Sequence, residues 1–153
     1  MRAMDLLARR EHGVKELSRK LINKGFDPEL VEEVIESLVS DNLVSDRRFC
    51  ESMVHSRFNR SHGPVKVRYE LRSKGVADQI IESVMDELAP DWQQALVDLI
   101  KKKYAGSLSG TPAERAKKVR FLSSRGFPQE MIFFVMRDTD FDLETSATRG
   151  SLD

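Results

Sequence analysis

Apolar residues recur along this chain in short runs at helical spacing, and each run is closed by a glycine, a proline or a small polar cluster. Met4, Leu7 and Ala8 predict a first helix over residues 3–10, which Gly13 breaks. Val14, Leu17 and Leu21 share one stripe of a second helix over residues 14–24, with Gly25 as its stop. Asp27-Pro28 then offers a capping carboxylate followed by proline at the first helical position. Leu30, Val31, Val34, Ile35 and Leu38 follow at the spacing of one buried face.

After Asn42-Leu43-Val44 the pattern restarts. Ser45 or Asp46 can cap a helix through Phe49, Met53, Val54 and Phe58, and His62-Gly63-Pro64 breaks it. Residues 65–74 predict the next helix, Val67 and Leu71 inward, ended by Gly75. Ile80, Ile81, Val84, Met85 and Leu88 reproduce the face seen at Leu30–Leu38. A third round opens at Pro90-Asp91-Trp92 and places Ala95, Leu96, Leu99, Ile100 and Tyr104 on one helix. After a flexible stretch over residues 105–110, Thr111-Pro112-Ala113-Glu114 is a capping box. The helix it opens carries Val119 and Leu122 and stops at Gly126; Pro128 opens the last, with Met131, Ile132, Val135 and Met136 inward.

Between residues 10–41 and 60–91 roughly ten positions are identical at a shift of about fifty. A period of that size predicts a repeat architecture. The expected fold is all-α: three tandem three-helix repeats stacked into an elongated curved array. The units run over residues 1–44, 45–90 and 91–137, with an acidic, disordered tail over 138–153. Leu17, Leu21, Val34, Val67, Leu71, Val84, Val119 and Leu122 are expected in the core.

Composition narrows the class. The chain has 153 residues, 40% of them hydrophobic and 33% charged, and no apolar run long enough to span a bilayer. The opening residues lack an apolar signal core. The one cysteine, Cys50, cannot form an internal disulfide, which agrees with a cytoplasmic setting. Net charge is zero, yet it is segregated. Residues 57–74 carry roughly +5, residues 101–125 roughly +7 and residues 27–46 roughly −7. One reading pairs basic helices with acidic ones, as weak surface ion pairs. The sharper one aligns the middle helices into a basic stripe facing a polyanion or an acidic protein groove. Phe58 is expected in the core and Tyr69 exposed.

No catalytic or metal site is legible. His12, His55 and His62 lack metal-ligand spacing, and His12 and His62 hold equivalent loop positions before glycine. Glu51 and His55 are expected as a surface pair, and Cys50 lacks the motif of a nucleophile. No cofactor is expected.

The order of Leu43-Val44-Ser45-Asp46-Arg47-Arg48-Phe49, Ser56-Arg57 and Gly63-Pro64-Val65-Lys66-Val67-Arg68-Tyr69-Glu70-Leu71-Arg72-Ser73-Lys74-Gly75-Val76 resembles the RecX regulatory proteins of bacteria. Trp92, Lys102-Lys103-Tyr104 and residues 117–127 fit the same family, as do Leu7–His12 and Glu16–Leu21. The resemblance implies a protein without catalysis that lies in the groove of the RecA filament on DNA. It implies inhibition of recombinase, ATPase and coprotease activities, hence modulation of recombination, DNA repair and the SOS response. The implied partner is the RecA filament, with DNA phosphates in its groove as a further contact. No membrane is involved, and the protein is expected to be a monomer. The residues expected to make contact are Arg57, Arg60, Lys66, Arg68, Arg72 and Lys74, then Lys117, Lys118, Arg120 and Arg125. A free-standing DNA-binding module is the alternative.

Overall fold

The computed structural model describes residues 2–138, and the expected acidic tail lies outside the described residues from position 139 onward. Among the described residues there are nine helices and no strand. They are α1 (Arg2–Arg9), α2 (Val14–Asn23), α3 (Pro28–Ser40), α4 (Asp46–Asn59), α5 (Pro64–Ser73), α6 (Asp78–Leu88), α7 (Trp92–Tyr104), α8 (Pro112–Ser124) and α9 (residues 129–138).

Local chemistry sets the ends of these helices. Asp27 accepts the Glu29 amide at 3.1 Å, with Pro28 in the first turn of α3. Ser45, not Asp46, caps α4, its hydroxyl accepting the Arg48 amide at 3.2 Å. That frees Asp46 to accept the amide of Val14 at 2.8 Å and so cap α2 from outside. Thr111 and Glu114 form both bonds of the capping box on α8, at 3.2 and 3.3 Å. The middle helices α2, α5 and α8 end on Gly25, Gly75 and Gly126, all at positive φ. In each case the next amide reaches back to the last turn: Phe26 to Leu21, Val76 to Leu71, Phe127 to Leu122.

The chain divides into two compact units. One comprises the chain up to Ser56 together with Arg68–Ala89; the other comprises Arg57–Val67 and the chain from Pro90 onward. In the first unit Ala3, Leu6, Leu17, Leu21, Val31, Ile35, Leu38 and Val44 form one apolar cluster. In the second, Leu96, Ile100, Leu108, Leu122, Phe127 and Ile132 anchor another, flanked by Phe58 and Phe121. Phe58 meets Trp92 edge to face at 5.4 Å between centroids, so it borders the core and is only partly buried.

Several sequence expectations change. Met4 and Ala8 face solvent, and Ala3 and Leu6 carry the inward stripe of α1. Leu30 is 51% exposed although its spacing matches the buried face of α3. Val34 and Val119 rest against the clusters rather than inside them.

Candidate functional site

The basic residues singled out in the sequence fall into two chemically different settings. Those on the C-terminal half of α5 are tied to carboxylates. Arg68 Nε donates to Glu82 at 2.8 Å, and Arg72 Nε to Asp78 at 2.7 Å. Lys74 Nζ reaches Glu16 of α2 at 2.9 Å. Glu16 is buried, its side chain only 3% exposed, and it also accepts two bonds from Arg10 at 2.9 and 3.1 Å. Burial pushes its carboxyl up, but the bonds from Arg10 and Lys74 outweigh this and hold it at about 2. Lys74 therefore neutralises a buried anion, which ties α5 to α2; Arg19 adds a bond from its guanidinium to the Ser73 carbonyl at 3.1 Å.

His12 belongs to the same corner and is buried. Its Nδ1 lies 3.0 Å from the Arg10 carbonyl and its Nε2 3.1 Å from Lys20 Nζ. The carbonyl can only accept and the ammonium can only donate, so the ring is neutral with its proton on Nδ1. Burial, foremost, keeps its pKa below 6.5 against the raising effect of the bond to the Arg10 carbonyl, and the charges of Arg10 and Lys20 add to the lowering. The histidine thus has the turn role expected for it. Glu51, expected to pair with His55, pairs with Arg47 at 3.4 Å. Arg47 also holds Glu87. The buried Cys50 thiol is pushed up to about 11, chiefly by burial, which leaves it a poor nucleophile.

The second setting lies in the other unit. Gly63 donates its amide to the Arg125 carbonyl at 2.7 Å, and Val65 donates to the Gly126 carbonyl at 3.0 Å. The two glycines approach so closely that a Cβ on Gly63 would fall within the backbone of Gly126. Arg125 returns a bond to the Arg60 carbonyl at 2.6 Å, and the Lys66 stem lies against Gly126. This backbone contact brings Arg60, Lys66 and Arg125 together, and among the described residues none of them is paired with a carboxylate.

Beside them runs a cleft lined by Arg60, Leu99, Lys102, Lys103 and Arg125. A second cleft, sharing Lys103, is lined by Tyr104, Glu114, Lys117, Lys118 and Phe121. Lys103 Nζ sits 3.6 Å over the Phe121 ring, and Lys118 Nζ lies 5.1 Å from the Tyr104 ring. The two rings meet edge to face at 6.2 Å. Among the described residues Glu114 is the one acid lining these two clefts, and it is committed to the α8 cap. Lys117 and Arg120 are exposed on α8, and Arg57 is half-buried on the last turn of α4. Tyr69, 71% exposed on α5, is the free ring the sequence predicted.

Lys102 and Lys103 are visible in the sequence only as part of a charge run. Their place beside α8 depends on the packing of α7, which spacing does not supply. Among the described residues no cluster of side chains could hold a metal ion, and no helix is long and apolar enough to cross a membrane.

Among the described residues, helices in threes with open, basic, aromatic-backed clefts define an all-helical repeat protein. Family models describing the first, second and third three-helix domains of RecX match residues 1–38, 45–85 and 90–136, in that order. A regulatory protein RecX of Pseudomonas savastanoi pv. phaseolicola is 46% identical over 130 residues, covering 85% of this chain and 84% of the relative. Another, from Pseudomonas fluorescens, is 42% identical over 92% of this chain and 90% of its own length. The chain belongs to the RecX family. The crystal structure of RecX from Lactobacillus salivarius shares the fold, with a TM-score of 0.73 at 23% identity over 91% of this chain and 92% of that one.

Proposed function

We propose that this protein binds the RecA filament on DNA and inhibits the recombinase, ATPase and coprotease activities of RecA. It would thereby modulate recombination, DNA repair and the SOS response, acting in the cytoplasm as a monomer. The observation that carries the reading is the ordered match of all three RecX domains along one chain. The chemistry supports it: a repeat protein offers extended surface, and basic clefts suit either acidic protein surface or DNA phosphates in a filament.

The contact residues we infer centre on Arg60, Lys66, Lys117, Lys118, Arg120 and Arg125, with Arg57 beside them and Lys102 and Lys103 added. Arg68 and Arg72 contribute more weakly, because a carboxylate already shares each charge. Lys74 contributes least, since it serves the buried Glu16.

The test is RecA's single-strand-dependent ATP hydrolysis with this protein titrated in below one per protomer. The parent is expected to suppress hydrolysis, and the Lys102→Glu/Lys117→Glu variant to need about tenfold more protein. Lys74→Glu is the wrong reversal to use, because it places a carboxylate against Glu16 and perturbs the fold. Failure of the parent to suppress hydrolysis at any ratio would sink the reading. Binding to bare DNA that matches filament binding in affinity and salt slope would favour a DNA-binding module instead.

A further inference from the structure

The cations of the first unit and those of the two lysine-lined clefts differ in what holds them. In the first unit Arg10, Arg47, Arg48, Arg68, Arg72 and Lys74 are each bonded to a carboxylate. In the clefts, Arg60, Lys102, Lys103, Lys117, Lys118 and Arg125 face Glu114 as the one acid among the described residues, and that acid caps α8. The space between these cations has an aromatic floor. Lys103 lies over the Phe121 ring and Lys118 over the Tyr104 ring, and the two rings meet edge to face. Cations around an aromatic floor suit a peptide in which carboxylates alternate with apolar side chains.

The chain itself carries such a sequence. Directly after α9, Asp140, Asp142 and Glu144 alternate with Phe141 and Leu143, and no lysine or arginine occurs between Asp138 and Glu144. In an extended strand, alternation of period two sets carboxylates along one edge at intervals of about 6.8 Å and apolar side chains along the other. Helix α9 belongs to the same core as the clefts. Its Ile132, Val135 and Met136 share one apolar cluster with Leu99 and Ile100, and Tyr104 and Phe121 pack against that cluster. Six residues beyond Asp138 span up to about 20 Å when extended, and a unit of about sixty residues has a radius of gyration of about 10 Å. A tether this short gives an effective concentration on the order of millimolar, so a weak contact suffices.

We propose that residues 140–144 dock in these clefts of their own chain, with Asp140, Asp142 and Glu144 on Lys102, Lys103 and Lys117 and with Phe141 against the Tyr104 and Phe121 rings. The segment then occupies the surface that the proposed function gives to RecA or DNA. A partner has to displace it, and apparent affinity falls in proportion to the fraction of chains left open. That regulatory meaning rests on the filament reading, whereas the docking takes place within one chain and without RecA, so each can fail alone.

The test is acetylation of the full chain by a limiting dose of acetic anhydride, read lysine by lysine by mass spectrometry. A docked carboxylate covers a lysine and holds it in the unreactive ammonium form. In the Asp140→Asn/Asp142→Asn/Glu144→Gln variant, Lys102, Lys103 and Lys117 should react about threefold faster or more, while Lys15 and Lys24 of the first unit keep their parental rates. Phe141→Ser leaves the charges in place and should raise the same three rates by about twofold. Unchanged circular dichroism confirms that both variants fold. Unchanged rates at the three lysines overturn the proposal. So does an equal rise at all five, which marks an effect of net charge alone, and so do parental rates in Phe141→Ser, which reduce the contact to diffuse attraction. Protection that grows with protein concentration would overturn it in favour of the same segment from a second copy.

Discussion

The C-terminal ends of α5 and α8 each meet the start of a preceding middle helix, and the two contacts are built from opposite materials. At Gly75 the contact is made by side chains: the Lys15 stem, the Arg19 bond to the Ser73 carbonyl, and Lys74 against the buried Glu16. At Gly126 the contact is made by backbone, with Gly63 and Val65 donating directly to the carbonyls of Arg125 and Gly126. A side-chain contact tolerates substitution by rearrangement but depends on protonation. A backbone contact is indifferent to pH and intolerant of a single added carbon.

The largest expected effect comes from that added carbon. Gly63→Ala drives a methyl into the Gly126 backbone and should cost about 3 kcal/mol in urea unfolding followed by Trp92 fluorescence. Next is Glu16→Gln, which keeps the volume but removes the charge that Arg10 and Lys74 share. A loss of about 2 kcal/mol is expected, limited because both cations can rehydrate. Gly13→Ala, at the position equivalent to Gly63, meets side chains only, the Phe49 ring edge at 3.0 Å and Asp46 Oδ1 at 3.4 Å, and has an ordinary backbone conformation. It should stay within about 1 kcal/mol of the parent, with the ring moving aside. Smallest is Arg68→Gln, which breaks a half-exposed pair with Glu82 and should change stability by about 0.5 kcal/mol or less. If Gly13→Ala proves as damaging as Gly63→Ala, the contrast between the two contacts collapses.

Acid sharpens the same contrast. The folded Glu16 carboxyl ionises at about 2 and the unfolded one near 4.5, so its contribution is complete above pH 4.5 and drains away as pH falls toward 2. His12 adds an earlier loss, because below pH 6.5 the unfolded chain takes up a proton that the folded ring resists. Neither group belongs to the unit that contains Trp92 and Phe58. Helical circular dichroism should therefore begin to fall at a higher pH than Trp92 fluorescence changes, and Glu16→Gln, which lacks the carboxylate's contribution at every pH, should widen that gap.

Elements governed by near neighbours along the chain are legible in the sequence itself. The capping box at Thr111, the Asp27-Pro28 start and the glycine stops all form as their spacing implies. The exposed Tyr69 is legible too, because it falls off the Val67/Leu71 stripe. What spacing misjudges depends on partners far along the chain. Leu30 has the spacing of the buried face and is nonetheless exposed. Lys74 reads as a surface cation, and only the fold brings Glu16 to it across 58 positions. Lys103 gains its place from the Phe121 ring, which a charge run cannot reveal.

The extra turn of α8 bears on how such a chain can grow. Helices α2 and α5 have 10 residues and α8 has 13. Aligning Gly75 with Gly126 sets Glu114 where Gly63 stands. A further copy of the repeating unit grafted behind α9 would therefore meet a carboxylate and a solid turn of helix where the glycine seat has to be. The glycine contact is therefore not available for repetition at the start of α8. An engineer wanting a longer version would have to splice new units upstream of α7 and leave the last three helices as the terminus.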